Sequence, residues 1–165
     1  MGALQRKQIS ATGIAQSLEK AERYRLLHEP SQAESICRDI LEADRANQHA
    51  LRALVLALTD QLGTNNGRGK ALEVRDAIGQ FADPFDRTYY MGVVYERESR
   101  ALLERPTAVR SAAYDGFRQA MECYERAEAL RPGHVDAILR WNSCTRAIES
   151  ERLEPAEPQR ELPLE

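Results

Sequence analysis

Basic charge, aromatic residues and long apolar runs are all scarce in this chain. Of its 165 residues, 23 are Lys or Arg against 26 Asp or Glu, leaving a formal net charge of -3 and a sequence pI near 5.7. Neutralising phosphates requires a clustered basic surface, and the one basic knot near a terminus, Arg6-Lys7, is too short, so no nucleic-acid partner is expected. No apolar run approaches the roughly 20 residues that span a bilayer, so no membrane partner is expected either. The opening MGALQRKQISATG lacks the apolar core of a secretory signal and puts Arg6 where a myristoylation motif needs Ser or Thr. A cytoplasmic protein is the expectation.

Cysteine is scarce too. Cys37, Cys123 and Cys144 are widely spaced, with no C-x-x-C and no close Cys/His pair, so each reads as a reduced, partly buried small hydrophobe at an apolar helical position. No catalytic constellation is visible. The stretch Gly63 to Lys70 superficially suggests a phosphate loop, but its glycine spacing is one residue too long, Ala71 replaces the hydroxyl residue, and a helical pattern precedes it where a strand belongs. His28, His49 and His134 sit near helix ends with no metal-spaced neighbours, and read as histidines hydrogen-bonded to carbonyls or water. Glu19/Glu22 and Glu96/Glu98 share their faces with Arg, which marks a solvated, ion-paired surface rather than an acid/base pair. The expectation is no enzyme, no metal and no cofactor.

What is present is helical periodicity. A loose arm over residues 1–12 leads to the stripe Ile14, Leu18, Ala21, Tyr24, Leu27, which predicts a helix to about His28. Pro30 suits the first turn of a second helix, carrying Ala33, Ile36/Cys37 and Ile40/Leu41. Asn47 is a good N-cap for a third, over His49 to Leu62. Gly63 to Gly69 is expected to be loop, followed by a helix over about Lys70 to Phe81, with Arg75 at a place where a large apolar residue is usual. Asp83-Pro84 restarts the chain. The segment between Tyr95 and Ala120 keeps helical spacing through Leu102/Leu103 and again from Val109 to Ala127, broken only by Arg105-Pro106-Thr107. Two lengthened helices are predicted there, about two turns longer each, although Gly116 costs one of them about 1 kcal/mol relative to Ala. After Pro132-Gly133, Val135 to Arg152 forms a last helix. Its outer face is expected to be polar through Arg140, Arg146, Glu149, Glu151 and Arg152, with Trp141 plugging the seam behind it. Residues 153–165 alternate Pro with Glu and are expected to be disordered.

Met91-Gly92 followed by Tyr95, then Ala120, Tyr124, Ala127, Leu130 and Pro132, resembles the tetratricopeptide repeat, which reads W-x2-L-G-x2-Y, A-x3-F and a proline. Ala21, Tyr24 and Ala33 fit it in the first pair, and Trp141-Asn142 stand at its Leu-Gly place; the middle pair departs from it. The resemblance implies an all-α fold, an α-solenoid of three helical hairpins at about 14–47, 48–83 and an extended 84–133, with a C-terminal capping helix at 134–152, so that residues 13–152 form one helical domain.

In that family the first helix of each pair lines a concave groove that holds a peptide or a partner's helix. Carried over, this implies a groove of Leu18, Glu22 and Arg25 from the first pair, Arg52, Leu56 and Thr59 from the second, Tyr89, Val93 and Glu96 from the third, and Leu139 and Ser143 from the cap. The alternative for these positions is plain exposure or packing between repeats. The set lacks the Lys and Asn with which some members hold a C-terminal carboxylate, so no chaperone-tail ligand is expected. The function implied is a non-enzymatic scaffold or adaptor whose partner is another protein or peptide. The alternative is a homodimer formed through the extended third hairpin, by Tyr114, Phe117 or Leu103.

Overall fold

A computed structural model describes residues 4–64 and 67–157. Among them are seven α-helices and no strand: α1 (Ile14–Leu26), α2 (Pro30–Ala43), α3 (Gln48–Thr59), α4 (Gly67–Gly79), α5 (Pro84–Leu103), α6 (Arg110–Leu130) and α7 (Val135–Ser150), with a single 3-10 turn at Ala11–Gly13. The chain signals for their starts are used as chemistry predicts. Asn47 Oδ1 accepts from the Ala50 N–H at 2.9 Å, and Asp83 Oδ1 from the Phe85 N–H at 2.9 Å, each satisfying a donor that the first helical turn leaves without a partner. Pro30 and Pro84 occupy first-turn positions.

Each helix packs on the next, and α1 also packs on α3, and α3 on α5. Two apolar clusters result. The first joins α1 to α4 through Ala21, Cys37, Leu51, Val55 and Val74, with Val94 of α5. The second joins α5, α6 and α7 through Val93, Phe117, Tyr124, Cys144 and Ala147. Small residues set the closest approach: a Cβ added at Gly92 of α5 would meet the Tyr124 ring at 2.7 Å and Cys123 Cβ at 3.1 Å. At Gly116 of α6 it would meet Ser99 Oγ at 2.1 Å, which explains why a residue poor for helix formation stands there. The lengthened pair is present, with 20 residues in α5 and 21 in α6 against 12 to 14 in α1 to α4.

Several local expectations are corrected. Gly67 and Gly69 belong to α4, not to a loop ending at Gly69; a side chain at Gly67 would lie 2.1 Å from the Leu62 carbonyl oxygen, so the glycine marks a tight start rather than an absent helix. Residues 65–66 lie outside the described residues. Arg75, at its unusual position, donates to both Glu98 carboxylate oxygens at 2.8 and 2.9 Å and places its guanidinium over the Tyr95 ring, tying α4 to α5. Trp141 is only half buried: it packs against the second cluster beside Cys144 and Ala147, while its Nε1 donates to Glu125 at 2.9 Å. Arg140 turns inward, while Arg146, Glu149, Glu151 and Arg152 are exposed beside an apolar patch of Val135, Ile138 and Leu139. His134 lies against Phe85 with its Nδ1 buried and, among the described residues, without a hydrogen-bond partner, unlike the bonding to carbonyls or water expected of it.

Each end makes a contact with the helices. In the arm, Arg6 donates to Glu42 at 2.8 Å, though both side chains are largely exposed; residues 1–3 lie outside the described residues. Leu153 is buried in the second cluster, and its N–H bonds the Ile148 carbonyl at 2.9 Å across Arg152, whose φ is +50°. This is the 6→1 bond that closes many helix C-termini. The remainder of the expected tail, residues 158–165, lies outside the described residues.

Candidate functional site

Side chains from α1, α3, α5 and α7 meet in a row of charge-assisted contacts. Arg25 of α1 donates from Nε to Asp60 Oδ2, just past α3, at 2.9 Å, and Arg97 of α5 approaches Asp60 Oδ1 at 3.6 Å. Arg52 of α3 donates through Nε and Nη2 to Asp86 of α5 at 3.0 and 2.7 Å. Between α5 and α7, Arg140 donates to Glu96 at 3.1 Å and to the Tyr89 hydroxyl at 3.0 Å, while Arg100 donates to Glu96 and to Ser143 Oγ. Helical geometry produces this row: residues three and four apart share a face, so Tyr89, Val93, Glu96 and Arg100 lie on one face of α5, with Tyr89, Glu96 and Arg100 meeting α7 and Arg97 turned to Asp60.

Glu96 is the most enclosed of these groups, with its side chain 5% exposed. Its carboxylate accepts from Tyr124 Oη at 2.7 Å, Arg140 Nη1 at 3.1 Å and Arg100 Nη2 at 3.2 Å. Burying a carboxylate is tolerable only when its lone pairs are filled and its charge is matched, and two guanidiniums do both. The titration of the neighbours follows. Burial raises the Tyr124 hydroxyl, and the Glu96 charge beside it raises it further. Burial raises Tyr89 as well, against the pull of Arg140. For Arg140 burial acts downward, and the nearby Tyr124, Tyr89 and Glu96 overcome it, so the guanidinium is held charged. Burial raises the Cys144 thiol to about 12, which removes it from thiolate chemistry at neutral pH. The same holds for Cys37, raised to about 12.

The structure sorts the eleven residues expected to line a groove. Arg25, Arg52, Tyr89, Glu96 and Ser143 are brought together as the row just described. Val93 is fully buried and Thr59 is 3% exposed, its hydroxyl donating to the Leu56 carbonyl, so these two serve packing and offer nothing to a partner. Glu96, equally enclosed, holds the row together from behind. Leu18 and Leu56 are half buried against the two apolar clusters; Glu22 and Leu139 are exposed. Phe117, expected as a self-association residue, is fully buried and points into the second cluster, while Leu103 and Tyr114 pack partly against it.

Sequence reasoning missed Asp60, Asp86, Arg97, Arg100 and Arg140 as members of the row. The helical register of α5 puts Arg97 and Arg100 within one turn of Glu96, a signal that was available. Asp60 lies just beyond the end of α3, and its two arginines are 35 and 37 residues away along the chain, so no local pattern reveals it.

Arg25 and Asp60 open onto a cleft of about 640 Å3, lined also by Leu26, His28, Pro30 and Arg97, where the end of α1, the start of α2, the end of α3 and the middle of α5 converge. No helix among the described residues is long and apolar enough to cross a membrane. No protein-family model, curated protein or solved structure matches the chain.

Proposed function

We propose that this chain is a non-enzymatic scaffold, an α-solenoid of three stacked helical pairs and a closing helix, that binds a segment of another protein along the face shared by α1, α3, α5 and α7. The resemblance of its residues to the tetratricopeptide pattern suggests this reading, and the row of contacts running from Arg25 to Ser143 is the observation that carries it. Such a row holds the four helices in register while leaving Glu22, Arg97 and Leu139 partly or fully accessible along one face. A segment lying across them would meet apolar, acidic and basic groups in succession, which favours a side-chain-specific peptide over a generic polyanion.

Capture from native lysate tests this with three proteins: the wild type, an Arg97→Glu/Leu139→Arg variant on the shared face, and a Leu72→Arg/Arg118→Glu variant on exposed positions of α4 and α6. The reading predicts that the first variant loses partners which the second retains. Identical partner sets for all three proteins would contradict it.

A further inference from the structure

The cleft beside Asp60 differs from every other link in the row. Arg52 and Arg140 each make two hydrogen bonds to acceptors on neighbouring helices, and Arg100 makes one to Ser143 of α7 and two to Glu96 on its own helix. Among the described residues, Arg25 makes one hydrogen bond, through Nε, and Arg97 makes none, its Nη1 standing 3.6 Å from Asp60. A guanidinium carries five N–H donors. Two of them therefore bring most of their donors to the cleft unspent, while being held in place rather than waving in solvent: the side chains are 22% and 37% exposed.

The charge inventory is also unequal. Asp60 is the one carboxylate lining the cleft among the described residues, against two guanidiniums, with His28 at the rim. The cleft keeps a surplus positive charge even though the chain as a whole carries -3. Its volume of about 640 Å3 lies within the roughly 300–1,000 Å3 common for binding sites, and Leu26, 82% exposed, and Pro30 supply an apolar wall.

Resting on the docking face proposed above, we propose that this cleft takes the side-chain carboxylates of an acidic segment of a partner protein. One Glu or Asp bridges Arg25 and Arg97 through their free Nη donors, and an adjacent apolar side chain lies on Leu26 and Pro30. Paired, charge-assisted bonds of this kind are directional, so the site selects carboxylate geometry as well as negative charge. Asp60 positions the two arginines by holding Arg25 and attracting Arg97. It also keeps them from collapsing into solvent when the cleft is empty.

The test uses the full chain, isotopically labelled so that the side-chain Nε–H signals of Arg25 and Arg97 are resolved. It is titrated with a dodecapeptide of repeated Glu-Glu-Leu, with its Gln-Gln-Leu analogue, and with inorganic phosphate. The proposal predicts that the Glu peptide shifts Arg25, Arg97 and His28, that the Gln analogue binds at least tenfold more weakly, and that Arg97→Gln weakens the Glu peptide at least tenfold. Because Arg97 makes no hydrogen bond within the described residues, that variant keeps the fold, which an unchanged amide spectrum away from α5 verifies. Equal binding of the two peptides on this face would overturn the acidic preference and leave the docking face standing. Shifts confined to α2, α4 or α6 would overturn both. No shift from the Glu peptide at millimolar concentration, or phosphate acting on the arginines as strongly as the peptide does, would overturn the proposal alone.

Discussion

Gly92 has no room for a methyl group. The Tyr124 ring that a Cβ would strike cannot swing aside, because its hydroxyl is bonded to buried Glu96, so α5 and α6 would have to separate. Overpacking of this kind costs about 1–3 kcal/mol, while alanine recovers about 1 kcal/mol of helix propensity over glycine. Gly92→Ala is therefore expected to destabilise the chain by up to about 2 kcal/mol, read as a lowered midpoint in urea unfolding. A stabilised variant would mean that the α5–α6 contact is looser than described. This residue shows what was legible at the smallest scale: Gly92, Ala120, Tyr124 and Ala127 announce a close helix crossing because only small residues allow one and an aromatic fills what remains. The surroundings of Arg75, Trp141 and His134 were illegible for the opposite reason. Each is amphipathic, and whether its apolar body or its polar tip prevails depends on partners, Glu98, Glu125 and Phe85, that no local spacing reveals.

Between elements, the ties on the α2–α4 side are as specific as those of the row. Glu34 of α2 accepts from Lys70 of α4 at 2.8 Å, from Gln61 at 2.8 Å and from Arg38 at 2.8 Å, and Arg38 in turn pairs with Glu73. Burial pushes the Glu34 carboxyl up, but these hydrogen bonds outweigh it and hold the group below its ordinary 4.5. With the native value depressed, the unfolded chain takes up this proton first as the solution is acidified. The stabilisation is fully present above the ordinary value and is lost as pH falls through the native one. Wild type is therefore expected to lose more unfolding free energy than Glu34→Gln between about pH 5 and about pH 3, measured by urea titration at each pH. Parallel losses would show that Glu34 is not held ionised. Helix starts and stops were readable where caps and first-turn prolines mark them, at Pro30, Asn47 and Asp83-Pro84. The start of α4 was not, since Gly67 and Gly69 carry no helical preference, and the reason for Gly67 is its closeness to the Leu62 backbone, which lies outside any local pattern.

Across the molecule, succession along the chain becomes adjacency in space. Each helix lies on the next, the odd-numbered helices are linked by Arg–carboxylate pairs, and Glu34 links α2 to α4. Periodicity alone predicts the all-helical architecture and the lengthened α5 and α6, because one apolar stripe per helix requires a neighbour on each exposed apolar side. The row itself is visible in the sequence only in part. Its arginines and carboxylates look like the charges of any solvated helix face until the packing of α1 on α3 and of α3 on α5 sets them opposite one another. Hydrogen–deuterium exchange of the full chain with and without a captured partner tests the central claim most directly. The account predicts slowed exchange at residues 18–28, 52–60, 89–97 and 139–143, with α2, α4 and α6 unchanged. Slowing confined to α2, α4 and α6 would contradict it.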